Sequence, residues 1–348
     1  MKKIFLMLLA SYTVGSLTAQ DNNKNEPFST KSFANQSIKD VEVETSGGNI
    51  SVESTSADKS RIEVFVWPSN GKKSSSVSKE EIQKKLDEFY DLKIDLNGGK
   101  LTAIARSKSR KWDRNNSLSI SFKVFVTTNV STNLTTSGGN INLMAVTGQQ
   151  KITTSGGNLN IDRVKGKLKG TTSGGNINVK DCDEIIDLTT SGGNINADNC
   201  KGDTKLVTSG GSISLANMSG NTEAVTSGGN VRGDIISGDL QAHTSGGNID
   251  LAGLSCSVET ATSGGNIRVA IKEPGKFIKI KNSGGDISLQ LPASKGYDLD
   301  LSGGKIRTDN LNNFNGKTTE EELNGKLNGG GAKVTVDAGD GRISLTMK

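Results

Sequence analysis

From Ser137 onward the chain repeats one arrangement of alternating apolar and polar positions. Eight Ser-Gly-Gly triplets open at Ser137, Ser155, Ser173, Ser191, Ser209, Ser227, Ser245 and Ser263, each 18 residues after the last. The fourth position after each serine reads Ile141, Leu159, Ile177, Ile195, Ile213, Val231, Ile249 and Ile267. Two further on come Leu143, Ile161, Val179, Ala197, Leu215, Gly233, Leu251 and Val269, with polar residues such as Asn140, Asn142, Asn158 and Asn160 between and before. Alternation with a period of two predicts a strand with one face inward. The other half of each unit alternates less cleanly, with Leu168, Ile186, Leu240 and Val258 five before the serine. A third apolar column is Val146, Val164, Cys182, Cys200, Met218, Ile236 and Leu254.

Each unit therefore predicts two short strands and two turns, one at Ser-Gly-Gly and one at a halfway glycine such as Gly148, Gly166 or Gly202. The glycines are expected to supply positive φ. Burying four or five apolar side chains gives roughly 10 kcal/mol, and ordering 18 residues costs on the order of 20 to 30 kcal/mol. One unit cannot fold alone, so strands must pair with the units above and below. The fold class expected is all-β: a parallel β-solenoid, or β-helix, with 18-residue coils and a thin two-sheet core, right-handed by analogy with parallel crossovers. A triangular left-handed helix of hexapeptides would need an aliphatic residue every six positions, which these columns do not give.

Charge supports the same register. Lys165, Asp183 and Lys201 share a column, as do Lys169, Asp187 and Lys205, so stacked signs alternate. The acidic run Asp181, Asp183, Glu184, Asp187 reads as part of that ion-pair ladder rather than as a catalytic or metal cluster.

Outside the array the pattern is irregular. Residues 1–19 read as a signal peptide, with Lys2 and Lys3 before an apolar stretch too short to span a bilayer. No later segment could span one. Residues 20–38 read as a flexible lead-in. Residues 39–136 read as an N-terminal cap and irregular first coils, 137–308 as regular solenoid repeats, and 309–348 as a C-terminal cap. Val41 to Ile50 is a coil sentence, and Leu92 to Leu101, around Asn97-Gly98-Gly99, is a second candidate. Between them lie a strand, Ile62 to Trp67, and an amphipathic helix from Ser78 with a capping pair, Ser78 and Glu81, and an apolar face of Ile82, Leu86, Phe89 and Tyr90. Asn310 to Asn328 reads as a polar connection, after which Lys333 to Val336 and Arg342 to Thr346 close the last coils.

With these elements the chain resembles the bacterial putative-adhesin family of exported β-strand-repeat proteins, a domain family of unknown function, and is similar to autotransporter-like adhesin head domains. The resemblance rests on Val41 to Val52, Leu118 to Thr127 and the recurrent Thr-Ser-Gly-Gly-Asn-Ile. It implies a cell-envelope or surface role and carries over no catalytic residues. Thr128-Asn129 stands where the family often has proline, which bears only on a local turn.

Candidate chemistry is sparse. Removing Lys2 and Lys3 from 42 basic residues leaves 40 against 37 acidic, a net +3, which argues for no nucleic-acid partner. Cys182 and Cys200 share an inward column and read, with Cys256, as buried thiols, a Cys182–Cys200 bond being left open. No catalytic residue, cofactor or metal ligand is expected, and His243, the chain's one histidine, has no serine or carboxylate set around it. An acidic-polysaccharide-cleaving β-helix enzyme would need long loops walling a groove. An ice-binding solenoid would need outward threonines at i and i+2, whereas the threonines here are adjacent. The favoured reading is a non-enzymatic exported protein of the periplasm, outer surface or medium, adhesin-like or scaffolding, whose partner is an envelope protein or a glycan. Its candidate interaction face is the outward column Thr135, Thr153, Thr171, Thr189, Val207, Val225 and His243. A second candidate is the basic loop of Lys108, Arg110, Lys111 and Arg114.

Overall fold

The computed structural model describes residues 26–69, 77–108 and 116–348. The expected signal peptide lies outside the described residues. Among the described residues 27 strands join in one hydrogen-bonded sheet, mostly parallel, with one α-helix. Ile141, Leu159, Ile177, Ile195, Ile213, Val231, Ile249 and Ile267 pair in register, one directly above the next. They are essentially inaccessible, and the core is the thin space they share with the inward residues of the other half of each layer.

The two halves are not separate sheets. Up to Asp198 they alternate as short strands, but Ile213–Val225, Val231–His243 and Ile249–Thr262 each run unbroken through both. The corner between halves is one left-handed residue per layer: Ala145, Arg163, Asp181, Asn199, Asn217, Ile235 and Gly253, with φ between 52 and 63°. Such a kink turns the chain without ending its layer-to-layer bonding. The Ala145 N–H still donates to the Asp162 carbonyl at 2.9 Å, and Arg163 to Lys180 at 3.0 Å.

The glycines divide into two kinds. The halfway glycines have the expected positive φ, 101° at Gly166 and 96° at Gly202, and Glu184 occupies the same column at 86°. The triplet glycines do not, since none from Gly138 to Gly265 is left-handed. The second of each triplet is glycine because the layers approach too closely for a side chain. A Cβ on Gly157 would sit 1.8 Å from the Gly139 carbonyl oxygen, and one on Gly193 1.9 Å from that of Gly175.

The invariant threonine before each triplet completes this contact. Thr190 Oγ1 donates to the Gly175 carbonyl at 2.8 Å and accepts from its own Gly193 N–H at 3.3 Å, and Thr154, Thr172, Thr208, Thr226, Thr244 and Thr262 do the same. Two other buried threonines, Thr204 and Thr222, sit between Ile186 and Leu240 in their column with hydroxyls that have no partner. The same substitution should therefore act in opposite directions. Thr190→Val strands a buried N–H and a buried carbonyl and should cost about 2 kcal/mol or more, while Thr204→Val should gain about 1 kcal/mol. Urea midpoints of the two variants, shifted down and up, are the expected result.

At both ends the layers are out of chain order. Asp40–Thr45 lies between Lys100–Ser107 and Ser131–Thr136, and Ile50–Ser54 between Leu118–Val126 and Ile141–Met144. At the other end Ala332–Asp337 lies between Ile267–Asn282 and Tyr297–Ser302, and Arg342–Met347 between Ile287–Leu291 and Lys305–Thr308. The first and last coil-like segments are thus threaded inside the stack, whereas the expectation for Lys333 to Thr346 was closure of the end.

Antiparallel strands cover the outer layers. Arg61–Pro68 pairs with Leu118–Val126 and with Ser29–Ser32. The segment expected to be a loose lead-in is therefore, from Ser29, an edge strand followed by the buried Phe33 and Ile38. Leu92 to Leu101 is an antiparallel hairpin rather than a coil, because Gly98 and Gly99, at φ 57 and 83°, form a two-residue turn that matches strand twist. Helix α1 (Lys79–Phe89) starts at Ser78, whose hydroxyl accepts from the Glu81 N–H at 3.2 Å, and buries Ile82 and Leu86. The expected polar connection contains a hairpin, Phe314–Thr318 with Glu322–Leu327, anchored by the buried Leu323 and Leu327.

Candidate interaction faces

The outward column singled out in the sequence is one continuous file. Thr135, Thr153, Thr171, Thr189, Val207, Val225, His243 and Ala261 pair in register, exposed or half-buried. Seven steps at about 4.8 Å make the file roughly 34 Å long. Buried threonines directly behind it tie each layer to the next through the glycine contacts. Lys108 of the basic loop is exposed and its Nζ donates to the Asp87 carbonyl at 2.6 Å, while Arg110, Lys111 and Arg114 lie outside the described residues.

Beside the file on the same face run the charged columns. Lys165 lies 3.7 Å from Asp183 and Lys169 3.3 Å from Asp187. Lys205 turns to Glu223 at 2.8 Å, and Lys279 to Glu259 at 2.9 Å. These are exposed pairs of small energetic weight. Of the acidic run, Asp183 and Asp187 join this ladder, whereas the Asp181 carboxylate accepts from the Asn199 amide at the corner. Among the described residues no cluster of three or more His, Cys, Asp or Glu is arranged to hold a metal ion.

The other half of each layer carries a shallow trough of about 770 Å³ over the asparagine row. Asn160 Nδ2 donates to Asn142 Oδ1 at 2.8 Å, Asn178 to Asn160 at 3.0 Å and Asn196 to Asn178 at 2.9 Å. The neighbouring column also serves the stack: Asn140 Oδ1 accepts from the Asn158 N–H, and Asn158 from Asn176, both at 2.8 Å. The amides are largely engaged in tying layer to layer.

The three cysteines are free and buried. Burial pushes the thiols of Cys182 and Cys256 up to about 12 and that of Cys200 to about 11. They stay protonated, and Cys182 donates weakly to the Lys180 carbonyl at 3.2 Å. Cys182 and Cys200 fill the column between Val164 and Met218 as small apolar groups do, while Cys256 is paired with Gly238 of the halfway-glycine column.

No helix among the described residues is long and apolar enough to cross a membrane. No curated protein matches the chain. Among solved structures it is similar to a putative cell adhesion protein from Clostridium sporogenes, at 11% identity over 92% of this chain and 98% of that one, with a TM-score of 0.19. It is also similar to a putative lipid binding protein from Parabacteroides distasonis (17% identity, 76% and 97% covered, TM-score 0.35) and a putative adhesin from Bacteroides fragilis (11%, 92% and 96%, 0.22). Residues 180–346 match the family model Toastrack DUF4097.

Proposed function

We propose that the chain is a non-enzymatic exported protein of the cell envelope or surface, a β-solenoid of 18-residue coils that binds its partner along the threonine and valine file. The observation that carries this reading is the file itself: Thr153, Thr171, Thr189, Val207 and Val225 are uncharged, in register and exposed or half-buried on one face. Regular flat faces of this kind suit an extended partner, because each layer offers the same contact again. Side-chain ordering on binding is cheap there, since Thr and Val have few rotamers to lose.

The test is site-specific photocrosslinking in the native host. A photoreactive residue replacing Val207 is expected to give one recurrent adduct in the envelope or secreted fraction, absent when the same residue replaces Ser245 in the turn row. Cytoplasmic retention of the protein, or equal labelling from both positions, would overturn the reading.

A further inference from the structure

Down the charged column beside the file, signs alternate or a neutral residue intervenes at every step but one. Lys169 is followed by Asp187, Asp187 by Lys205, Lys205 by Glu223, and Glu259 by Lys279. The exception is Lys151, which pairs in register with Lys169 and has Asn133 on its other side. Between Ser131 and Leu291 this is the one like-charged pair among the strand registers of the described residues. Like charges one strand apart repel and destabilise a sheet. Lys167, two residues along from Lys169, lies between Gln149 and Ile185. Neither Lys151 nor Lys167 makes an ion pair, and both are exposed.

Three ammonium groups therefore follow one another along the strand Lys165–Thr172, at Lys165, Lys167 and Lys169, with Lys151 beside the last. Outward residues two apart on a strand are about 6.6 Å apart, and neighbouring strands about 4.8 Å. A trough of about 400 Å³ opens over Lys151, Lys167 and Lys169, its walls including Glu42, Lys100 and Gln149, and Lys165 continues the row outside that lining. The positive strip is narrow. On one side Asp40 and Glu42 border it, Glu42 held by Lys100 at 2.7 Å, and on the other Asp183 and Asp187.

From this geometry we infer that the strip is a binding site for a linear acidic polysaccharide, lying along Lys165, Lys167 and Lys169 with one acidic group between Lys151 and Lys169. The inference rests on the proposed function and names its partner class. A planar anionic membrane would press against the flanking carboxylates of Asp40, Glu42, Asp183 and Asp187 together, whereas a single chain can follow the lysines and pass by Glu42, whose charge Lys100 already offsets. A bound carboxylate or sulfate also relieves the Lys151–Lys169 repulsion, so the unpaired charge has a use in the complex that it lacks in the free protein.

The probe is polygalacturonate, with a neutral glucan of equal length, inorganic phosphate and phosphatidylglycerol-containing vesicles as comparison arms. The full chain is expected to bind polygalacturonate in a salt-sensitive way and none of the other three. Lys151→Gln together with Lys167→Gln should weaken binding by about tenfold or more. Because neither lysine has a partner to lose, the double variant should melt like the parent. Lys151→Glu gives the sharper readout: it restores sign alternation with Lys169, so it should melt no lower than the parent while losing polygalacturonate. Absence of polygalacturonate binding, equal binding by the double variant, or binding of phosphate or vesicles alone would each overturn the inference. If the Val207 adduct persists in the double variant, the face binds its partner without the acidic chain, and the inference fails while the proposed function stands.

Discussion

Gly193→Ala should break the array at its centre, while Gly192→Ala, one residue away, should leave it intact. Neither position is left-handed, so backbone freedom is not what separates them. At Gly193 the added methyl would stand 1.9 Å from the Gly175 carbonyl oxygen and 2.4 Å from its carbon, both backbone atoms held by the Thr190 hydroxyl and by the next strand. At Gly192 the nearest atom is 3.7 Å away, an ordinary contact. Relieving the first clash means prising two layers apart, which shears the Ile177–Ile195 pairing beneath and should cost at least the upper end of about 1 to 3 kcal/mol. Alanine at Gly192 should instead be neutral or stabilise by up to about 1 kcal/mol by restricting the unfolded chain. Denaturant melts of the pair, with proteolysis to locate the opening, are the measurement. Equal melts would mean that the close approach of the glycine file does not govern the stack.

Ending the chain after Gly331 should loosen far more than the removed segment. The deleted strands lie between Ile267–Asn282 and Tyr297–Ser302 and between Ile287–Leu291 and Lys305–Thr308. Val334, Val336, Ile343 and Leu345 are fully buried there, so about 6 to 12 kcal/mol of burial is lost. Tyr297–Ser302 and its covering hairpin then have nothing to pair with on the inner side. Amide exchange is the test: protection should vanish across 297–327 and persist across 141–262, and the exposed edge at Phe277–Lys281 should promote association. Retained protection at 297–327 would show that these layers do not depend on the threaded strands.

The inward rows were legible because each fell at a fixed spacing, and Ile141, Leu159 and Ile177 needed only pairing to become a column. The role of the triplet glycines was not legible, since a left-handed turn and a close approach select the same residue. The hairpin at Gly98-Gly99 could have been read from two adjacent turn residues between alternating runs. The threading of Ala332–Met347 could not, because the strands on either side of it are named by no local pattern. Of the candidate faces, the threonine file followed from parity alone. The Lys151–Lys169 pair was one period apart in the chain, but it stands out only against the charge alternation of its whole column.

The threaded ends also govern how such a chain can change in length. Each extremity is fastened by its own segments, and neither fastening touches the layers between Thr147 and Thr262. Whole units duplicated or lost in that interior would meet identical neighbours and leave both fastenings undisturbed. The molecule is in this sense a ruler, lengthened or shortened by about 4.8 Å for each unit gained or lost.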